Sequence, residues 1–229
     1  MKNKKAAILL FVLAFIAGGV ISYFIFDTGP AKLSKPVVGE GIYSETFGVD
    51  KNINEGTIDD YLNRDDTVYR DMRMLIDNAA YENIGGDSYL SGFVRGFEAV
   101  PFPLIVNVTG LPPEVGDTYQ GDTLFTLSDE GKYIANYDES LEFLEFYFPR
   151  DKNIFLMCGG AGYAGSMKSI LTDLGWDADK IYNVGGYWFY EGDNKVTVKS
   201  DKGEDVYDFW KVTYHDIDFA SMNRIEDEA

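Results

Sequence analysis

The most apolar part of the chain comes first. Lys2, Lys4 and Lys5 precede residues 6–26, a mostly apolar run that Asp27, Gly29 and Pro30 close. That length matches the hydrocarbon region of a bilayer and exceeds the apolar core of a cleaved signal. Residues 1–28 are therefore expected to be an N-terminal transmembrane helix. The lysine end would stay in the cytoplasm and the remainder would be extracytoplasmic, a single-pass protein of the cell membrane. The alternative is secretion after signal cleavage. Residues 29–55 mix Lys, Pro, Gly and Asn with little apolar period, as expected of a spacer.

Beyond Gly56 the pattern turns into short elements. "IDDYL" reads as a short helix with Thr57 as N-cap and acids in its first turn. "RMLID", residues 73–77, reads as a buried strand, and "AVPFPLIVNV", residues 99–108, as an extended segment whose prolines mark a strand entrance or edge. Leu141, Leu144, Tyr147 and Phe148 recur at helical spacing behind Asp138 as cap, and Pro149 stops them. Then come a strand, "NIFLM", a glycine loop, a helix running from near Gly165 to Leu174 and ended by Gly175, and another strand, "KIYNV".

Alternating strands and helices of this length predict a parallel α/β sheet. The tail differs: "KVTVKS" and "FWKVTYHDIDF" alternate around "DKGED" and predict a β-hairpin-like extension. The expected organisation is thus residues 1–28 as anchor, 29–55 as spacer, 56–192 as the α/β domain and 193–229 as a C-terminal β extension with an acidic tail.

Composition narrows the function classes. A chain of 229 residues, 45% apolar and 15% aromatic, supplies one sizeable core. Past residue 26 it keeps 17 of its 20 Lys and Arg against all 38 Asp and Glu, a net charge of −21. Such a surface repels phosphate backbones, which argues against nucleic acid as a partner. A single cysteine, Cys158, excludes an internal disulfide and leaves a free thiol to explain. His215, the lone histidine, has no ligand partners in the pattern, and no metal cluster is visible.

The chemistry centres on "MCGGAGYAGS". Its Gly160, Gly162 and Gly165 read G-x-G-x-x-G, the spacing of a dinucleotide loop. That reading fails downstream: the next strand ends in Val184-Gly185-Gly186 without the acid that would hold a ribose, and too little chain follows for the rest of the crevice. A phosphate loop of the Gly-Lys-Ser/Thr kind is absent as well.

The same glycines suit Cys158 better. The cysteine stands at the C-terminal end of a strand, where ligand sites of parallel sheets lie. The backbone N–H groups of Gly159, Gly160, Ala161, Gly162, Tyr163 and Ala164 are expected to curl around its sulfur. With the following helix N-terminus they would stabilise a sulfur-bound anion and lower the thiol pKa. The competing reading is a buried core cysteine.

Several stretches resemble the rhodanese (sulfurtransferase) homology domain. "MLIDN", with Asp77, is similar to that family's strand ending in Asp-x-Arg, and "YLSGFVRGFEAVPFP" to its Tyr-x-x-Gly-His-Ile-Pro-Gly-Ala signature. "FLMCGGAGYAGSMKSILTDLGWDADKIYNVGGYWFY" follows its order of strand, cysteine loop, helix and Gly-Gly-x-x-x-Trp ending. The resemblance covers residues 57–190. It implies a rhodanese-like sheet of about five parallel strands with helices on both faces. It also implies a cysteine that carries sulfane sulfur as a persulfide between a small sulfur donor and a thiol acceptor, with no cofactor and no metal.

The sequence also departs from that pattern. Tyr163 stands where active members carry a loop arginine, Asn78-Ala79 follow Asp77, and Phe93 replaces a histidine. On this alignment the loop lacks a side-chain cation, so a dianionic donor loses a partner worth roughly 1.5–3 kcal/mol per charged hydrogen bond. The same departure argues against phosphatase or arsenate-reductase chemistry, which needs an arginine clamp. Three readings stay open: a sulfur carrier or transferase, an inactive rhodanese-like binding module with a protein partner, and a redox cysteine enzyme. Two supporting residues are expected near the loop, Asp77 to orient it by hydrogen bonds and Arg95 as a substitute cation. Trp188 and Tyr187 are expected to pack the end of the sheet.

Overall fold

A computed structural model describes residues 33–41, 47–77, 79, 81–106 and 119–226. The membrane segment expected over residues 1–28 lies outside them, and no helix among the described residues is long and apolar enough to cross a membrane. The unit that carries the site spans Ser34–Ala229.

Its centre is a four-stranded parallel sheet in the order β3-β1-β6-β7, formed by β1 (Thr67–Asp71), β3 (Glu98–Ala99), β6 (Asn153–Cys158) and β7 (Ile181–Gly186). The fold is α/β, with four parallel strands among the described residues where about five were expected. Strand β6 is central because its apolar run, Ile154 to Cys158, is buried throughout, as a strand covered on both faces requires. Its register runs from Thr67↔Asn153 to Asp71↔Met157 on one side. On the other it runs from Ile154↔Ile181 to Cys158↔Gly186, with an irregularity between Leu156 and Cys158.

The expected strand at residues 73–77 is corrected. The strand lies upstream, at β1, where Thr67, Tyr69 and Asp71 alternate with half-buried Val68 and Arg70. Ile76 is exposed beyond it.

Alternation along β6 sends Ile154, Leu156 and Cys158 to one face and Phe155 to the other. The first face packs on α1 (Phe102–Ile105), α2 (Ser140–Tyr147) and α3 (Gly162–Asp173), whose Phe102, Ile105, Leu144, Met167, Ile170 and Leu171 share one core cluster with it. All three α-helices named here thus share this face. The opposite face is aromatic: Phe97, Tyr69, Phe155 and Tyr182 form a chain with ring centroids 4.9–5.5 Å apart. Over it lies the chain before β1, with Ile53, Ile58 and Leu62 buried and the Tyr69 hydroxyl donating to Tyr61 C=O at 2.7 Å.

That cover also corrects the spacer. In residues 47–55 Asp50 is buried, its carboxylate caps the Asn52 and Ile53 N–H groups, and its own N–H donates to Asn183 C=O at 2.8 Å along the outer edge of β7. The tail performs the same task at the opposite edge. Ala99 N–H donates to Thr213 C=O and His215 N–H to Ala99 C=O, which occupies the outer side of β3 at Ala99.

The C-terminal hairpin is short: around "DKGED" Ser200 N–H donates to Val206 C=O at 2.7 Å and Asp208 N–H to Val198 C=O at 2.8 Å, on either side of the antiparallel bridge Lys199↔Tyr207. Strand β8 (Lys195–Thr197) also pairs antiparallel with β2 (Gly92–Val94). A further hairpin, β4 (Phe125–Leu127) with β5 (Tyr133–Ala135), closes the helical side.

Two local readings change as well. Residues 102–105 form a helical turn rather than an extended segment, with Pro103 inside the first turn, where its missing N–H costs nothing. Thr57 makes no capping bond, its hydroxyl being held by Asn52 C=O and Asn54 N–H.

Candidate functional site

Cys158 ends β6, 2% exposed, and the chain then turns through Gly159, Gly160 and Ala161 into α3. Ala161 holds the turn with φ +74°, a left-handed conformation uncommon for a residue with a Cβ. Its carbonyl is fixed by Asn183 Nδ2 at 3.2 Å and Gly165 N–H at 3.0 Å. Of the six amides expected to cradle the sulfur, those of Tyr163 and Ala164 lie near enough to favour its anion.

Gly159 and Gly160 serve a different purpose. A Cβ on Gly159 or on Gly86 would collide with the Trp188 ring, and one on Gly160 would crowd it, so the indole lies against backbone on both sides. Trp188 thereby lines the pocket instead of only closing the sheet, and it tilts against Tyr81 with centroids 5.4 Å apart.

The thiol titrates opposite to expectation. Burial pushes Cys158 up to about 12, Asp71 adds to the rise, and the Tyr163 and Ala164 amides and Arg73 counter it only in part. The cradle exists, but in a dry core it does not make a resting thiolate.

Tyr163 stacks on Phe102 at 5.1 Å and donates its hydroxyl to Asp77 Oδ2 at 2.8 Å. Tyr81 donates to the same oxygen at 2.8 Å, and the two hydroxyls lie 2.6 Å apart. Asp77 Oδ1 accepts the Ala79 N–H at 3.0 Å. Burial, then the Asp77 charge, hold both tyrosines far above the ordinary phenol range, so they act as neutral donors. Asp77 thus ties the segment after β1 to the first turn of α3.

The loop itself carries no side-chain cation, but one reaches the cavity from outside it. Arg73, two residues past β1, lines the same cavity as Cys158. It is 7% exposed and held by a bidentate pair with Asp71, itself 1% exposed: Nε to Oδ1 at 2.9 Å and Nη2 to Oδ2 at 2.5 Å. Nη2 also donates to Gly92 C=O at 2.7 Å, and the guanidinium lies 4.6 Å from the centre of the Tyr187 ring. Tyr187 is therefore the platform under Arg73. The Asp-x-Arg pattern sought at Asp77 occurs at Asp71-Met72-Arg73, at the end of the actual strand. The alternation of "TVYRD" was the signal that would have found it.

Arg95 is not brought to the site. It is exposed in the turn after β2 and does not line the cavity. His215 sits at the β3 edge, with Nε2 2.9 Å from Glu98 Oε2.

Beside the sulfur lies a cavity of about 40 Å³, walled by Arg73, Asp77, Tyr81, Cys158, Tyr163 and Trp188 among others. It has room for roughly three waters. Among the described residues no group of three His, Cys, Asp or Glu side chains is placed to hold a metal ion. No family model, curated protein or solved structure matches the chain.

Proposed function

We propose that the unit is a rhodanese-like sulfur carrier in which Cys158 takes up a sulfane sulfur as a persulfide and passes it to an acceptor thiol. One observation carries this reading: Cys158, at the end of the central strand and beside the first turn of α3, shares a small cavity with a buried arginine. The parallel sheet, the cysteine at the C-terminal end of its central strand, and Asp71-Met72-Arg73 at the end of β1 support the family reading. The apolar run at residues 6–26 supports placing this unit on the outer side of a membrane.

A thiol that stays protonated at rest suits a donor that arrives as an anion. In Cys–SH + R–S–S⁻ → Cys–S–S⁻ + R–SH, the Cys158 sulfur bonds to the terminal sulfur of the donor and the donor's S–S bond breaks. The thiol proton leaves on the departing sulfur. The persulfide, more acidic than the thiol, remains as an anion under the Tyr163 and Ala164 amides. Transfer to an acceptor thiol reverses the step and returns the proton to Cys158.

A second reading, an inactive binding module, is favoured by the same raised thiol pKa and by a tyrosine in the arginine position. Intact-mass measurement of the soluble unit after exposure to polysulfide, thiosulfate or mercaptopyruvate, beside Cys158→Ser, separates the two. One added sulfur, lost in the variant, is expected of the carrier. A wild-type mass that never changes leaves the binding module, whose protein partner would be retained by Cys158→Ser.

A further inference from the structure

Buried polar atoms in folded proteins nearly always find a partner, so those without one point to function. Four side-chain atoms are buried without a partner among the described residues: Glu55 Oε2, Arg73 Nη1, Thr172 Oγ1 and Trp188 Nε1. Two of them, Arg73 Nη1 and Trp188 Nε1, belong to walls of the Cys158 cavity, and both are donors.

The arginine is anchored for this purpose. Asp71 and the Gly92 carbonyl occupy Nε and Nη2, and the Tyr187 ring supports the plane, which leaves Nη1 as the nitrogen with no acceptor. Trp188 is fixed by the bare backbone of Gly86 and Gly159. With the Tyr163 and Ala164 amides near the sulfur, the cavity presents donors on several sides. Its remaining charges are negative: Asp77 on the wall and Asp87 among the lining residues.

We infer that Arg73 Nη1 and Trp188 Nε1 dock the single negative charge of a small ligand, and that the donor loaded onto Cys158 is a monoanionic sulfur chain such as hydrodisulfide. The docking site stands on geometry alone; the identity of the donor rests on the sulfur-carrier reading. A cavity of about 40 Å³ suits a donor of few heavy atoms. A dianion of the thiosulfate kind is larger and brings a second negative charge against the Asp77 and Asp87 carboxylates. Loading balances as Cys–SH + HSS⁻ → Cys–S–S⁻ + H₂S: the Cys158 sulfur bonds to the terminal sulfur of the donor, the donor S–S bond breaks, the thiol proton leaves on the departing sulfur as hydrogen sulfide, and the charge that Arg73 docked stays on the persulfide.

The test combines two probes on the soluble unit. Sodium disulfide and sodium thiosulfate are compared for the rate at which Cys158 gains one sulfur by mass. Sodium azide, a linear monoanion of three atoms, is titrated against melting temperature beside sodium sulfate. The variants are Arg73→Lys, which keeps the charge and loses the fork, and Trp188→Phe, which keeps the ring and loses the N–H.

Disulfide is expected to load at least about 100-fold faster than thiosulfate, with Arg73→Lys slower by about tenfold and Trp188→Phe by a few-fold. Azide, and not sulfate, is expected to raise the wild-type melting temperature saturably, with the rise lost in Arg73→Lys and reduced in Trp188→Phe. An azide effect equal in wild type and Trp188→Phe, or absent in wild type, overturns the docking site. Thiosulfate loading within tenfold of disulfide overturns the donor class. No loading by either donor, with the azide effect intact, removes the carrier reading and the donor assignment and leaves the anion site standing.

Discussion

Alkylation of the native unit with iodoacetamide, followed by intact mass from about pH 6 to about pH 10, reports the charge state of Cys158, because the thiolate is the reacting form. Burial lifts this thiol from 9.0 to about 12, and the three pH units correspond to about 4 kcal/mol against ionisation. At pH 8 an ordinary thiol is roughly one-tenth ionised and Cys158 roughly one part in ten thousand, so alkylation should run about 1,000-fold slower than in the urea-unfolded chain.

The native rate should climb tenfold per pH unit without levelling. The same shift enters stability. Because the folded-state value is raised, the contribution is complete below pH 9 and is lost between 9 and about 12, at about 1.4 kcal/mol per pH unit. Cys158→Ser should abolish that part of the alkaline loss. A native rate that levels off at or below pH 9, or a native protein that reacts as fast as the unfolded chain, refutes the dry-core account of the loop.

Other perturbations test the walls of the site. Gly159→Ala sets a methyl against the Trp188 ring and should cost about 1–3 kcal/mol in urea titration, with a shift in tryptophan fluorescence; unchanged stability and fluorescence would mean the ring does not lie on the loop. Tyr163→Phe removes one of two hydroxyl donors from Asp77 and should cost about 1–2 kcal/mol, read by the same titration. Arg73→Gln leaves Asp71 buried without its cation and should cost about 3–5 kcal/mol, a loss that Asp71→Asn in the same chain should partly restore.

Lys168, buried on α3 with its ammonium on Ile181 C=O, is pushed down to about 8 by burial, so its contribution is present above 10.5 and lost as pH falls through 8. Wild type should therefore gain stability relative to Lys168→Met as pH rises across that window. A flat difference in paired melts would contradict the buried-lysine account.

Segments whose neighbours lie close in the chain were legible. The apolar run of β6, the glycine turn after Cys158, the helix behind it and the strand closed by Gly185-Gly186 follow from local pattern, and each stands within a few residues of its expected place. Segments whose role depends on distant partners were misread. "RMLID" has the look of a strand, but "TVYRD" has the neighbours, because Asp71 N–H and C=O meet a sheet that includes β6, more than eighty residues away. Residues 47–55 resemble a spacer because their apolar positions are few, and the tail a self-contained hairpin because its apolar positions alternate, yet each also hydrogen-bonds to one edge of the sheet.

The site divides the same way. The sequence by itself determined that a lone cysteine ends a buried strand, that glycines follow it, and that no arginine lies within its loop. Tertiary structure decided the chemistry available to that cysteine. It buried the sulfur deeply enough to outweigh the cradle, brought Arg73 to the cavity from another strand, and laid Trp188 where only glycine leaves room. Local pattern encodes the loop because backbone geometry is local. Charge and solvation at its centre are sums over side chains that meet only when the sheet is assembled.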